Sequence, residues 1–345
     1  MSRLVKRLAQ GRTYIIAEMS ANHAGRLENA IAIVRAAAEA GADCLKVQTY
    51  TADTITLDCD KPDFRIEDNG LWDGRVLHDL YAEASMPWEW QPIIKSECEK
   101  FGLDFLSTPF DLSAVDFMES MGCDMYKIAS FELVDIPLIE YAASKGCPMI
   151  VSCGMGSADE IQDAVDACRR VGNDRVVLLK CCSEYPANWA DMHLANIPDM
   201  QRRFGVQVGL SDHSMGHLAA VVGVSMGACV VEKHFCLDRA IENPDSAFSM
   251  EPAEFREMVD RIREVEEIKG DVFYGPSPRE ESSMAFRRSL YAAAPIAEGE
   301  AFTEENVRSV RPGYGLAPKY YSALMGRVAR HPYGFGDPIS RGEVD

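Results

Sequence analysis

From Thr13 to about Lys269 the chain alternates between two patterns. Short runs rich in Val, Ile and Leu end in a polar residue and a turn, and stretches with helical spacing follow them. The first run is Tyr14-Ile15-Ile16-Ala17, and the helix after it, 27–40, sets Leu27, Ile31, Val34 and Ala38 on one face before Gly41 stops it. Further apolar runs fall at 44–47, 104–106, 125–128, 148–151, 176–179, 206–210 and 229–231. Helical stretches are predicted at 88–101, 113–121, 137–145, 158–171, 190–204, 216–226 and 252–269. Eight strand–helix units in about 255 residues predict an α/β fold of the (β/α)8 TIM-barrel type, whose usual size is about 250 residues. A doubly wound open sheet is the rival, but Glu18 follows the first run and no Gly-rich phosphate loop does.

Two regions break the rhythm. Residues 51–87 form a long acidic insertion with Asp53, Asp58, Asp60, Asp63 and Trp72, and a loop of this length reads as a lid or binding element. Near Gly275-Pro276-Ser277-Pro278 the composition turns to that of a linker. The expected organisation is a barrel over 1–275, a linker over 276–284 and a small, mostly β domain over 285–345.

Composition narrows the function classes. With 47% apolar residues the chain can bury a large core, and it has no long uncharged apolar run. A net charge of −19 repels nucleic acid and anionic lipid, so neither is an expected partner. An anionic substrate would need its positive groups concentrated inside a pocket. The 11 cysteines are scattered and show no paired spacing, which favours buried thiols in a reducing, cytoplasmic setting over a disulfide framework. The first ten residues carry Arg3, Lys6 and Arg7 but no apolar block with a cleavage site.

In a barrel of this kind chemistry gathers at the C-terminal ends of the strands. The residues at the ends of the apolar runs or just beyond them are Glu18; Lys46 and Gln48, two apart and on the same face; Ser107, Thr108 and Asp111; Lys127, Ser130 and Glu132; Ser152; Lys180, Ser183 and Tyr185; Ser211, Asp212 and His213; Glu232, Lys233 and His234. Lysines among small hydroxyls suit a phosphate and a carboxylate. His213 and His234 end neighbouring strands and can share one divalent metal, with Glu232 or a substrate oxygen completing the set; oxygen-rich coordination suits Mn²⁺, Mg²⁺ or Co²⁺. Asn22-His23 can also be read as a turn and cap before Leu27, and Cys181-Cys182 as packing residues.

Several of these stretches carry a family resemblance. Ala17-Glu18-Met19-Ser20-Ala21-Asn22-His23-Ala24-Gly25, Lys46-Val47-Gln48-Thr49, Ser107-Thr108-Pro109-Phe110, Tyr126-Lys127-Ile128-Ala129-Ser130-Phe131-Glu132, Gly209-Leu210-Ser211-Asp212-His213 and Glu232-Lys233-His234-Phe235 resemble, in order, the motifs of the sialic acid synthase family. Arg311-Pro312-Gly313-Tyr314-Gly315 resembles the antifreeze-like SAF domain that closes such enzymes. Ser20 to Gly25, Leu71-Trp72-Asp73, Leu80-Tyr81, Pro87-Trp88-Glu89-Trp90, Arg288 to Tyr291 and Tyr314-Gly315-Leu316 resemble the pseudaminic branch. The neuraminic and legionaminic branches are the alternatives. Cys153 and Cys182 stand where threonine is expected, and Ser183 where some relatives have Asn.

The resemblance implies condensation of phosphoenolpyruvate with a 2,4-diacetamido-2,4,6-trideoxy hexose by a metal-dependent homodimer with exchanged C-terminal domains. It implies that Lys46 and Thr108 hold the carboxylate, and that Lys127, Ser130, Ser152, Ser183 and Ser211 hold the phosphate. Glu132, with Lys127 and Glu18, is implied in the chemistry. Glu18, Gln48, Tyr185 and Asp245 are implied to hold the sugar, with Arg311 supplied from the partner, and His213 and His234 to hold the metal.

Overall fold

The computed structural model describes residues 3–67 and 72–345; Asp68, at the end of the acidic insertion, and Leu71 of the Leu71-Trp72-Asp73 motif lie outside the described residues. The chain divides into two compact units, Met1–Gly270 and Asp271–Asp345. The first division thus falls at Gly270, a few residues before the Gly-Pro stretch that marks the change in composition.

The larger unit contains eight parallel strands: β1 (Tyr14–Glu18), β2 (Cys44–Thr49), β3 (Asp104–Pro109), β4 (Tyr126–Ile128), β5 (Met149–Ser152), β6 (Val176–Cys181), β7 (Gln207–Asp212) and β8 (Val230–His234). Their lateral order is β3-β2-β1-β8-β7-β6-β5-β4, and β3 and β4 pack side by side to complete the barrel. A helix follows each strand, from Leu27–Glu39 after β1 to Pro252–Lys269 after β8. Outward residues such as Ile15, Ala17, Leu45, Val47, Val151, Leu178 and Val231 pack against those helices in the main core.

Strand periodicity sorts the inward residues into layers, because alternate side chains share a face. The lower layers are apolar: Tyr14, Ile16, Cys44, Leu106, Met125, Ile150, Val177, Leu179 and Val230, with Leu4 beneath them. Gly209 completes this layer on β7, where a Cβ would run into the Val230 backbone and the Leu179 side chain. Leu4 belongs to a helix, Arg3–Ala9, that seals the barrel floor; Arg7 and Arg263 both hold the buried Asp43 carboxylate at 2.6 and 3.2 Å.

Several elements differ from the sequence-based expectation for local reasons. The helix expected at 190–204 begins only at Asn196, because Pro198 lacks an N–H and its ring would clash with the Leu194 carbonyl of a longer helix. In Leu27–Glu39 the buried face is Ala30, Ile33, Val34 and Ala37, with Leu27, Ile31 and Ala38 on its flank. That helix is apolar almost all round, so its spacing did not single out one stripe. Residues 88–90 form a 3-10 turn ahead of the helix Gln91–Phe101, whose Pro92 occupies the first turn. Asn22 and His23 do not cap the Leu27 helix: its cap position, Arg26, makes no side-chain cap bond, and Asn22 donates instead to Ser249 Oγ at 2.8 Å.

The smaller unit has its own core of Leu290, Ile296, Phe302, Val307, Leu316, Leu324, Tyr333 and Ile339. Its regular β structure among the described residues is one antiparallel pair, β9 (Ser289–Ala292) with β10 (Val307–Val310). Isolated bridges and tight turns make up much of the remainder. A buried Glu343 ties its end down, accepting from Tyr333 OH at 2.9 Å. No helix among the described residues is long and apolar enough to cross a membrane.

Leu4 is 1% exposed and lies at the floor, away from the strand C-termini. Leu4→Ala should therefore lower stability by about 2–3 kcal/mol, the usual cost of a core Leu truncation. Chemical denaturation should show that loss, while substrate affinity at the opposite end stays within about twofold of wild type.

Candidate active site

Several of the polar residues at the strand ends belong to the strands themselves. Each lies two positions after an inward residue of the floor layer, so each points into the upper barrel: Glu18 after Ile16, Lys46 after Cys44, Thr108 after Leu106 and Lys127 after Met125. Ser152, Cys181, Ser211 and Glu232 follow Ile150, Leu179, Gly209 and Val230 in the same way. The next step of the series reaches the mouth with Ser20, Gln48, Gly154, Ser183, His213 and His234.

The upper layer is a buried charge cluster. Lys46 Nζ lies 3.1 Å from Glu18 Oε2 and 3.4 Å from Glu232 Oε1, and Lys127 Nζ lies 3.7 Å from the same Glu232 oxygen. All four side chains are at most 6% exposed. Hydroxyls and one amide extend the cluster: Lys127 donates to Ser152 Oγ at 2.7 Å, Lys46 to Thr108 Oγ1 at 3.4 Å and Ser211 to Glu232 Oε1 at 3.1 Å. Gln48 Nε2 donates to Glu18 Oε1 and Ser20 Oγ, both at 3.1 Å. The Lys46–Glu18 contact is close but off the hydrogen-bond direction, so Glu18 Oε2 is left without a hydrogen-bond partner; so is Glu232 Oε2. Glu18 Oε2 still has the Lys46 ammonium beside it, whereas Glu232 Oε2 is a buried acceptor awaiting a donor.

The electrostatics are unequal. Burial pushes the Glu18 carboxyl up to about 7, against the pull of Lys46. Burial also acts on Glu232, but its two lysine neighbours outweigh it and hold that carboxyl below its ordinary value. Burial lowers Lys127, whereas the two carboxylates keep Lys46 above its ordinary value. With Glu18 partly protonated near neutrality, two lysines face one firmly ionised carboxylate. The pocket is locally cationic inside a protein of net charge −19.

Other predicted residues surround this cluster. Ser130 Oγ accepts from Gly154 N at 3.1 Å, and Ser183 Oγ lies 3.8 Å from Cys181 Sγ. A Cβ on Gly154 would collide with both the Ser183 and Ser130 hydroxyls, so this glycine keeps open a cradle between them. Glu132 stands at the end of the 3-10 turn Ser130–Glu132; burial raises its carboxyl to about 7, and its Oε2 has no hydrogen-bond partner. Asp245 accepts from Ala21 N at 3.0 Å, tying the loop after β8 to the loop after β1. Arg311 is exposed and belongs to the smaller unit.

His213 and His234 face one another with ring centroids 5.4 Å apart. His213 Nδ1 lies 2.8 Å from the Cys182 carbonyl, which can only accept, so Nδ1 carries the proton and Nε2 keeps a free lone pair. His234 Nδ1 is buried without a hydrogen-bond partner. Two imidazoles prepared in this way fit a divalent cation, although no cluster of three or more His, Cys, Asp or Glu that could hold a metal occurs among the described residues. Glu232, the third donor considered from the sequence, does not group with the two histidines into a three-residue metal cluster among the described residues. The remaining positions would fall to water or substrate oxygen.

Five other residues of the expected polar ring stand outside it, the first being Ser107, whose Oγ lies 2.6 Å from Thr49 Oγ1 and donates to the Val47 carbonyl. Asp212 and Lys233 face away from the barrel interior and pair with each other at 2.8 Å, bracing β7 to β8. Asp111 caps the helix Leu112–Ser120, and Lys180 donates to the Cys181 carbonyl. Conversely, Gly154 and Phe248 border the site without having been singled out, and Ser20 and Trp72, noted within family motifs and, for Trp72, within the long insertion, border it too. Parity along the strands reaches Gly154 and Ser20; nothing local marks Phe248. All 11 cysteines are free thiols.

Gly154→Ala should close the cradle. The expected result is at least a tenfold loss of inorganic phosphate affinity by calorimetry, with a stability cost of about 1–3 kcal/mol for overpacking. Unchanged phosphate binding would separate Gly154 from any anion site.

Comparison with known proteins agrees with this geometry. The NeuB family model matches residues 33–274, and the SAF domain model matches residues 287–344. Pseudaminic acid synthases of Campylobacter jejuni and Helicobacter pylori are 44% and 40% identical over 332 residues, covering 96% of this chain and 96% and 97% of theirs. The solved N-acetylneuraminic acid synthetase of Leptospira borgpetersenii is 29% identical, with a TM-score of 0.71 over 79% of this chain and 90% of that one. Family model, near-full-length relatives and fold coincide: this chain belongs to the NeuB family and ends in a SAF domain.

Proposed function

We propose that the chain catalyses the pseudaminic acid synthase reaction, condensing phosphoenolpyruvate with 2,4-diacetamido-2,4,6-trideoxy-altrose and water to give pseudaminic acid and phosphate. The observation that carries this reading is the buried pair Lys46 and Lys127, set among hydroxyls in an otherwise acidic protein. The 40–44% identity to pseudaminic acid synthases over nearly the whole chain supports the choice of acceptor.

The residues divide the work. Lys46 and Thr108 hold the carboxylate of phosphoenolpyruvate. Lys127, Ser130, Ser152, Ser183 and Ser211 hold its phosphate, with Gly154 leaving room for the oxygens. Glu18, Gln48, Tyr185 and Asp245 hold the sugar. His213 and His234 hold a divalent metal (Mn²⁺, Mg²⁺ or Co²⁺), which supplies Lewis acidity toward the aldehyde when bound. Carbon 3 of phosphoenolpyruvate attacks that aldehyde carbon, and water adds at carbon 2, where positive charge develops. The tetrahedral adduct then expels phosphate. Preset lysines and hydroxyls stabilise the departing anion without reorganising, and Glu132 orients the water and takes its proton.

The enzyme works as a homodimer in this reading, with Arg311 of one chain meeting the sugar in the other. The free thiols fit a reducing cytoplasm.

Phosphate release from phosphoenolpyruvate, assayed with altrose-, mannose- and legionaminic-type acceptors with and without Mn²⁺, tests the reaction. Turnover with the altrose sugar alone is expected; turnover with another acceptor would reassign the substrate, and none at all would refute the synthase reading. Glu132 gives a second expectation. Its folded carboxyl, raised to about 7, should place a limb in kcat that rises toward pH 7 and levels above it. Glu132→Gln should lower kcat about 10²–10⁴-fold and remove the limb, with ligand binding retained. The folded state holds this proton more tightly than the unfolded state, whose carboxyl titrates near 4.5, so wild-type stability falls as pH rises from about 4.5 to about 7. Glu132→Gln should abolish that part of the fall in thermal melts.

A further inference from the structure

The wall beside the two histidines is aromatic, and no part of the reaction described above uses it fully. Tyr185 lies against His213 with ring centroids 4.2 Å apart, and 6.1 Å from His234. Phe248 stands behind, 5.1 Å from Tyr185 and 5.0 Å from His234, and is 2% exposed. Trp72 continues the wall 5.8 Å beyond Tyr185. Both Trp72 and Tyr185 keep part of their surface open, while Phe248 backs them.

The polar capacity of this wall is confined to the Tyr185 hydroxyl. Trp72 has one donor, Nε1–H, and it is committed to the Pro244 carbonyl at 3.3 Å. That bond also fixes the indole to the loop after β8. Phe248 has no hydrogen-bonding group. A hydroxyl pressed against Trp72 or Phe248 would lose water and gain no partner from either ring, which is costly. A methyl group would lose only unfavourable hydration and gain dispersion contacts.

The direction of the wall matches a sugar held by its aldehyde end at the histidines. Ring-to-ring steps of 4.2 and 5.8 Å run outward from His213 through Tyr185 to Trp72. The second step, from Tyr185 to Trp72, is 5.8 Å, so the distal carbons of a sugar whose aldehyde lies at the histidines extend along Tyr185 toward Trp72. The methyl groups of a 6-deoxy sugar with a 4-acetamido substituent would meet Trp72, whereas a C6 hydroxymethyl would set its hydroxyl there.

We propose that Trp72, packed on Tyr185 and backed by Phe248, is the specificity determinant that selects acceptors apolar at their distal end. It favours 6-deoxy, 4-acetamido sugars over their hydroxylated counterparts. The proposal rests on the synthase reading for the identity of the acceptor but not on turnover for its test.

Calorimetry on the full-length protein with Mn²⁺ should compare 2,4-diacetamido-2,4,6-trideoxy-altrose with its C6-hydroxylated counterpart, in wild type, Trp72→Ala and Trp72→Phe. Phosphate release with the same two sugars is measured in parallel. Wild type is expected to bind the deoxy sugar at least tenfold more tightly. Trp72→Ala should reduce that ratio to below threefold by weakening the deoxy sugar alone, and Trp72→Phe should restore most of it. Equal wild-type affinities, an unchanged ratio in Trp72→Ala, or an equal loss for both sugars would overturn the proposal. Preserved binding discrimination without any turnover would refute the synthase reading and leave the selectivity of the wall standing.

Discussion

Two lysines and two glutamates share the upper interior of one barrel, and the rest of the molecule is arranged to keep them there. Charges are expensive to bury, and a buried ion pair seldom repays its own desolvation. Lys46, Lys127, Glu18 and Glu232 are held at a depth where water cannot screen them. The eight strands enforce that depth: each places an apolar residue, or Gly209, on the floor and a polar one in the layer above. The floor is closed by Leu4 and its helix, so the cluster opens only toward the strand C-termini.

This arrangement reconciles a surface of strong negative charge with an anionic substrate. Lys46 and Lys127 in a low-dielectric pocket act on a bound phosphate or carboxylate far more strongly than exposed lysines would. The carboxylates prevent the empty pocket from holding two uncompensated cations. Glu232, between both lysines, stays ionised, and Glu18 takes up part of a proton near neutral pH. The orphaned oxygen of Glu232 and the open cradle at Gly154 are features of a pocket shaped for a guest. The histidine pair and the aromatic wall then divide the mouth into a polar end and an apolar one.

Much of this was legible in the sequence, and the residues that were not are instructive. Alternating apolar runs and helical stretches identified eight strand–helix units, because strand and helix periods differ and parallel barrel strands are short and apolar. Site residues were legible because charged and hydroxylic groups interrupt otherwise apolar runs. Their exact place was legible only in part: reading Glu18 as following a strand, rather than belonging to it, hid the two-residue parity that joins Ile16 to Glu18. The same parity would have separated Asp212 and Lys233, which face outward, from Ser211 and Glu232, which face inward. Phe248 lay beyond reach, and Trp72 was marked only as part of the insertion and of a branch motif, because loop residues carry no period; only tertiary packing brings them to Tyr185. Pro198 was visible as a helix-limiting residue but yielded to a longer apolar pattern around it.

The central claim is that the buried charges serve the reaction and not the fold. Replacing Lys127 and Glu232 together by methionine tests it most directly, since it removes one lysine with the carboxylate that lies beside it. Thermal melting and phosphate release of this double variant should be measured together. The account predicts a melting temperature at or above that of wild type, with turnover reduced at least a thousandfold. A marked fall in melting temperature with turnover largely preserved would contradict it, and would make the cluster a structural element.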